Sequence, residues 1–175
     1  MKSFRQAVEA NDHAAIEALL AEDVVFTSPV AFKPYPGKAI TAAILRGVSR
    51  VFTDFRYVRE ITGEDGRDHA LVFEARVGDR AITGCDFLHL NEHGLIDDFM
   101  VMVRPLSAAQ ALAEAMGAQF GRIAAEAAQA AESAEATGAA GAAGATETAG
   151  AAGAAGASES AGAAEAAGAA QADRA

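Results

Sequence analysis

A chain of 175 residues with a formal net charge of −10 has room for one domain of ordinary size. It carries the wrong sign for a phosphate backbone, so nucleic acid is excluded as a partner. The single cysteine, Cys85, rules out an intramolecular disulfide, and its place inside an apolar strand favours an inert buried thiol. No window is long and apolar enough to span a bilayer. The start, Met1-Lys2-Ser3-Phe4-Arg5-Gln6, has basic residues with no apolar run behind them, which is not a secretory signal. A cytoplasmic protein with no membrane contact is the expectation.

In chain order, Phe4 and Val8, then Ile16, Leu19 and Leu20, predict two short amphipathic helices separated by Asn11-Asp12, a stop followed by a cap. Val24-Val25-Phe26-Thr27 is a short β-rich run ended by Ser28-Pro29, and Tyr35-Pro36-Gly37 fits a turn. A third helix follows, with Ile40, Ile44, Val48 and Val51 along one side. Strands are then predicted over 55–62, 70–77, 81–90 and 95–103, with a polar turn at 63–66, a short loop at Gly78-Asp79 and a turn at Gly94. Helices first and a strand meander afterwards predict an α+β fold with helices on one face of an antiparallel sheet. The stretch 107–136 should be a C-terminal helix, with Ser107 as N-cap, Leu112, Met116, Phe120 and Ile123 at helical spacing, and Gly117 and Gly121 weakening its middle. From 137 to 175 the chain is nearly all Ala and Gly. It has nothing large to bury, which predicts a disordered low-complexity tail. The expected organisation is a domain over 1–106, the helix, and the tail.

One residue stands out. Reading every second position gives Ile82, Gly84, Asp86, Leu88 and Leu90 on one strand face. Asp86 is the ionisable member of an otherwise apolar row, so it must be paired, protonated or used.

The segments Ala18 to Phe26, Ser28-Pro29 and Pro36-Gly37-Lys38-Ala39-Ile40, with the later Gly84-Cys85-Asp86-Phe87 and Gly94 to Phe99, resemble the nuclear-transport-factor-2-like (NTF2-like) superfamily. That superfamily includes ketosteroid isomerases, scytalone dehydratase and SnoaL-type polyketide cyclases. The resemblance covers roughly residues 4–116. It implies a cone, a curved antiparallel sheet wrapped around N-terminal helices with an apolar pocket between them, and homodimers that pair through the outer sheet face. Against the ketosteroid isomerase site, Ser28 stands where the carboxylate base would be and Phe4 where a tyrosine would donate to the oxyanion. Asp86 matches the aspartic acid kept protonated to donate to that oxyanion. Without the base, steroid isomerisation by that mechanism is not expected.

Asp86 has two readings: a general acid or carbonyl-directed donor, or a structural aspartate bonded to a tyrosine or an arginine. Tyr57 is the best candidate partner. The expected ligand pocket comprises Phe4, Phe26, Phe32, Phe52, Tyr57, Phe73, Leu88 and Phe99, with Phe55 as a further candidate. His89 falls on the opposite sheet face from Asp86, and His93 and His13 are expected in solvent. No histidine pair has metal-motif spacing, so neither metal nor cofactor is expected. Asp97 and Asp98 point to opposite faces and form no dyad. No nucleophile elbow or phosphate-cradling loop occurs. Asp98, Met100, Met102 and Arg104 suit a dimer interface. The sequence thus points to a domain binding a small hydrophobic or carbonyl-bearing molecule, with isomerase, cyclase or dehydratase chemistry. The alternative is a non-catalytic dimerisation or ligand-sensing module whose cavity its own side chains fill.

Overall fold

The computed structural model describes residues 1–147, with side chains through residue 137 apart from Lys2. The chain divides into two compact units, Met1–Thr137 and Gly138–Ala175. In chain order the described elements are α1 (Lys2–Glu9), α2 (His13–Ala18), β1 (Leu20–Thr27), β2 (Tyr35–Pro36), α3 (Lys38–Val51), β3 (Phe52–Thr62), β4 (Asp68–Val77), β5 (Arg80–Leu90), β6 (Ile96–Arg104) and α4 (Leu106–Glu147). The first unit has the expected α+β architecture, a curved, unclosed six-stranded sheet packed against helices. Strand order is β2-β1-β6-β5-β4-β3. All pairs are antiparallel except β1 with β6, which is parallel. No helix of the described residues is long and apolar enough to cross a membrane.

Local chemistry explains the early elements. Asn11 adopts a left-handed φ of 52° that ends α1, and the Asp12 carboxylate then caps α2 by accepting from Ala15 N–H at 3.0 Å. Leu20 opens β1 rather than closing α2. Tyr35 and Pro36 are a short strand on β1 instead of a free turn, because Gly37, at φ 104°, donates its N–H to Val24 O at 2.7 Å and then starts α3.

The meander obeys its period. Along β4, His69, Leu71, Phe73, Ala75 and Val77 are buried and their neighbours are not; along β5, Ile82, Gly84, Asp86 and Leu88 are. The outer neighbours include Cys85, which is half-exposed rather than buried. Burial first, then the adjacent Asp86, still push its thiol up from the ordinary value, which keeps it protonated and unreactive. Strand β3 is irregular, with register shifts between Thr53 and Arg56 and between Tyr57 and Arg59, and Asp54 at φ 53°. Such bulges bend a strand and re-aim its side chains.

Helix α4 begins at Leu106, so Ser107 is not its cap; the Pro105 carbonyl accepts from the N–H groups of Ala108 and Ala109. The helix docks by burying Ala108, Leu112 and Ile123. Gly47 of α3 lets it come close, since a Cβ there would lie 2.7 Å from Ile123 Cδ1. Glu126 accepts from Arg122 Nε at 2.7 Å and from Arg50 Nη1 at 3.2 Å, and Arg46 Nε lies 3.6 Å away. The helix continues to Glu147, past the expected boundary at 136. The many alanines outweigh the glycine cost there, about 1 kcal/mol per glycine. The rest of the expected disordered tail, 148–175, lies outside the described residues.

Candidate functional site

The sheet and helices α1, α2, α3 and α4 line a cavity of about 390 Å³, within the range of small-molecule sites. It is open space and not filled by the protein's own side chains. Six of the eight sequence-selected pocket residues line it: Phe4, Phe26, Phe52, Tyr57, Phe73 and Phe99. Asp86 is at its wall with them. Phe4 and Phe26 each meet Phe99 edge-on, at 5.6 and 5.3 Å between ring centroids. Phe55 also lines the cavity and stands edge-on to Tyr57 at 4.9 Å.

Two expectations need correction. Phe32 is fully exposed. Val30 N–H donates to Ser28 Oγ at 3.2 Å, and the resulting turn gives Pro29, Val30 and Ala31 to the cavity while Phe32 points away. Leu88 is buried on the Asp86 face, but lies two residues, roughly 7 Å, further along β5. It lines a separate, more open depression with Ile61, His69 and Phe87.

Asp86 is buried in this apolar wall. Tyr57 Oη donates to its Oδ2 at 2.6 Å. Burial pushes the Asp86 carboxyl up to about 7, with the Tyr57 hydrogen bond pulling the other way. Burial, then the neighbouring Asp86, holds the Tyr57 phenol well above its ordinary value, so it remains a donor. Asp86 Oδ1 has no hydrogen-bond partner among the described residues and is not sealed off, so it meets the cavity.

Tyr57 is itself held in place. Its strand bulges there, and α1 takes up its backbone: Arg5 Nη2 donates to Tyr57 O at 2.9 Å, and Tyr57 N–H donates to Glu9 Oε1 at 3.3 Å. Arg5 Nε also donates to Glu9 Oε1, at 3.1 Å. The result is an oriented phenol and a carboxyl that carries a proton near neutrality, both facing an apolar cavity. Such a pair can donate to a ligand carbonyl or to an oxyanion forming from it.

The other positions carried over from the resemblance also meet the cavity. Phe4 is wholly buried and Ser28 is at the wall with its hydroxyl accepting from Val30 N–H.

Sequence reasoning missed His13, Ser49 and Asp54, all at the cavity wall. His13, expected in solvent, is half-buried, and its Nδ1 is sealed from water without a partner. A polar residue in a helix's first turn carries no signal that α3 will cover it. His89 does lie away from Asp86, with Nδ1 2.6 Å from Asp97 Oδ1. Among the described residues no three His, Cys, Asp or Glu side chains converge on a metal site.

The SnoaL-like domain family matches residues 1–99. A steroid delta-isomerase from Pseudomonas aeruginosa is 42% identical with a TM-score of 0.66, over 70% of this chain and 89% of that one. An uncharacterised protein of cystatin-like fold from Silicibacter pomeroyi is 43% identical with a TM-score of 0.64, over 67% of this chain and 82% of that one. An epoxide hydrolase/cyclase-like enzyme of pyran-ring formation in the polyether salinomycin shares the fold at 18% identity and a TM-score of 0.51, over 60% and 87% of the two chains. No functionally curated protein matches. The chain belongs to the SnoaL-like domain family, within the NTF2-like superfamily.

Proposed function

We propose that this domain binds a small apolar molecule bearing a carbonyl group. Asp86 acts as the proton-carrying donor to that carbonyl, and Tyr57 fixes the carboxyl's orientation. The observation that carries the reading is one neutral-leaning carboxyl, Asp86, at the wall of a 390 Å³ apolar cavity and bonded to a buried phenol. Donation at a carbonyl oxygen stabilises the negative charge that develops there when a proton leaves the neighbouring carbon or a bond rearranges. Isomerase, cyclase and dehydratase chemistry share that need. The 42% identity to a steroid delta-isomerase supports the carbonyl as the recognised group. Ser28, where the resemblance to ketosteroid isomerases puts a carboxylate base, argues against proton abstraction by that route.

The test is calorimetric binding of benzylacetone, an aryl ketone, to the full chain. Wild type should bind it, with affinity falling as pH rises above about 7, and Asp86→Leu should bind about tenfold more weakly, the worth of one strong hydrogen bond. Equal affinity in wild type and Asp86→Leu would remove Asp86 from the site.

The outer sheet face supports a homodimer, as its occupant would be a second copy of the same face. The register sets Ile61, Ala70, Phe87 and Met100 in one cross-strand row, with Val72, Cys85 and Met102 in the next. Ile61 and Met102 are each 55% exposed, and an apolar patch of this kind marks an interaction surface.

A further inference from the structure

The cavity wall is acidic and has no matching base. Glu9, Asp54 and Asp86 line it, and none of the described residues lining it is a lysine or an arginine. The three carboxyl groups are not equivalent. Asp86 is buried, and burial pushes its carboxyl up to about 7. Glu9 is paired with Arg5, whose Nε donates to it at 3.1 Å. Asp54 is exposed. The arginines nearest to it in sequence are taken elsewhere, Arg50 by Glu126 and Arg56 by Glu74. Asp54 is thus the wall's free negative charge.

A break in β3 puts it there. The register shifts between Thr53 and Arg56, and Asp54 takes a φ of 53°, a bulge that interrupts strict alternation and re-aims side chains. Phe52 and Phe55, which flank Asp54 in the strand, line the same wall, their rings 6.2 Å apart and 13° from parallel. Aromatic faces attract cations and not anions. A cleft of one sign with low-dielectric walls also focuses its field on whatever enters. Asp86 is buried and Asp54 exposed, so the first belongs to the inner part of the cavity and the second to its open part.

We infer that the cavity selects its ligand by charge, preferring a cationic outer end to a neutral one and a neutral one to an anionic one, with Asp54 as the specificity-determining residue. The substrate class is then an apolar carbonyl compound bearing an amine, and keto acids and phosphate esters are rejected. This rests on the carbonyl reading of Asp86 and adds the charge of the far end.

The test uses benzylacetone carrying a para methyl, aminomethyl or carboxyl group, and the same three with a linker two methylenes longer. Binding to the full chain is measured by calorimetry in low salt at neutral pH. In wild type the aminomethyl compound should bind about threefold more tightly than the methyl compound, and the carboxyl compound about threefold more weakly, for at least one linker length. Asp54→Asn keeps the shape and tolerates the left-handed backbone, and should bring both ratios to about one. Asp54→Gly, at ease at that φ, carries the test if Asp54→Asn does not fold. Asp79→Asn removes the same charge from the loop between β4 and β5, off the cavity wall, and should leave both ratios as in wild type. Ratios of one in wild type, a carboxyl compound that binds best, a spread that survives loss of the Asp54 charge, or one that Asp79→Asn abolishes equally overturns the inference. Binding of the neutral methyl ketone in any of those cases leaves the carbonyl reading standing. Failure of every compound to bind removes both together.

Discussion

The ring of Phe73 lies across Gly84, its register partner on the neighbouring strand: a Cβ at Gly84 would come within 2.6 Å of Phe73 Cε1. The glycine is thus the space that lets Phe73 lie flat against β5, two residues before Asp86, and still form part of the cavity wall. Phe73 is 1% exposed and packs on Phe52 and Phe55 at 5.7 and 5.3 Å, so its ring has nowhere to retreat except into the cavity. Gly84→Ala should therefore destabilise the domain by about 1–3 kcal/mol, the usual range for overpacking, and weaken ligand binding as the cavity shrinks. Urea unfolding measures the first effect. A variant as stable as wild type would mean that Phe73 turns aside freely.

Asp86 makes stability fall with pH. Its carboxyl ionises at about 7 in the folded chain and near 3.9 when unfolded. Between those values the folded state holds a proton that the unfolded state has released. Stability therefore falls as pH rises from about 4 to about 7 and is flat in this contribution above that. The full span is about 4 kcal/mol, from roughly three pKa units at 1.36 kcal/mol each. Asp86→Asn keeps the shape and an acceptor for Tyr57 but binds no proton. It should match wild type near pH 4 and exceed it by up to about 4 kcal/mol at pH 8. Parallel stability profiles for the two proteins would show that Asp86 is not held neutral by burial.

Asp86 was legible because β5 is regular: a period-two pattern is a local property, and it turned one carboxylate toward the core. The same reasoning fails on β3, where two bulges reset the parity, so the inward aim of Tyr57 follows from its role as a partner and not from its position. The parallel pairing of β1 with β6 joins opposite ends of the domain and leaves no mark in either segment. Helical spacing revealed Leu112, Met116, Phe120 and Ile123, yet not that they wall the cavity. His13 was hidden for the same reason, since what buries it comes from distant chain. Phe32 shows the converse: composition suggested a pocket residue, and the turn at Ser28 sends it outward.

Tyr57→Phe tests the carboxyl–phenol pair from the other side. The Tyr57 hydrogen bond is the influence that lowers the Asp86 carboxyl against the effect of burial. Without that hydroxyl the carboxyl should ionise above about 7, and ketone binding should persist to correspondingly higher pH. Carboxyl carbon NMR of Asp86 in both proteins reads the midpoint directly. A midpoint that stays put or moves down would show that the hydroxyl does not stabilise the ionised carboxylate.

The outer face yields the last prediction. Phe87 pairs with Met100 and Cys85 with Met102 across β5 and β6, so the apolar side chains form a continuous patch and not isolated points. Asp98 and Arg104 flank the methionines on the same strand, an arrangement of apolar centre and charged rim. A second copy related by a two-fold axis would set apolar centre on apolar centre. Met102→Glu would then bury two carboxylates facing each other without partners. Wild type should run as a dimer at micromolar concentration by light scattering, and Met102→Glu as a monomer with an unchanged circular dichroism spectrum. A wild-type monomer under those conditions would remove the dimer, and a dimeric Met102→Glu would move the interface to another face.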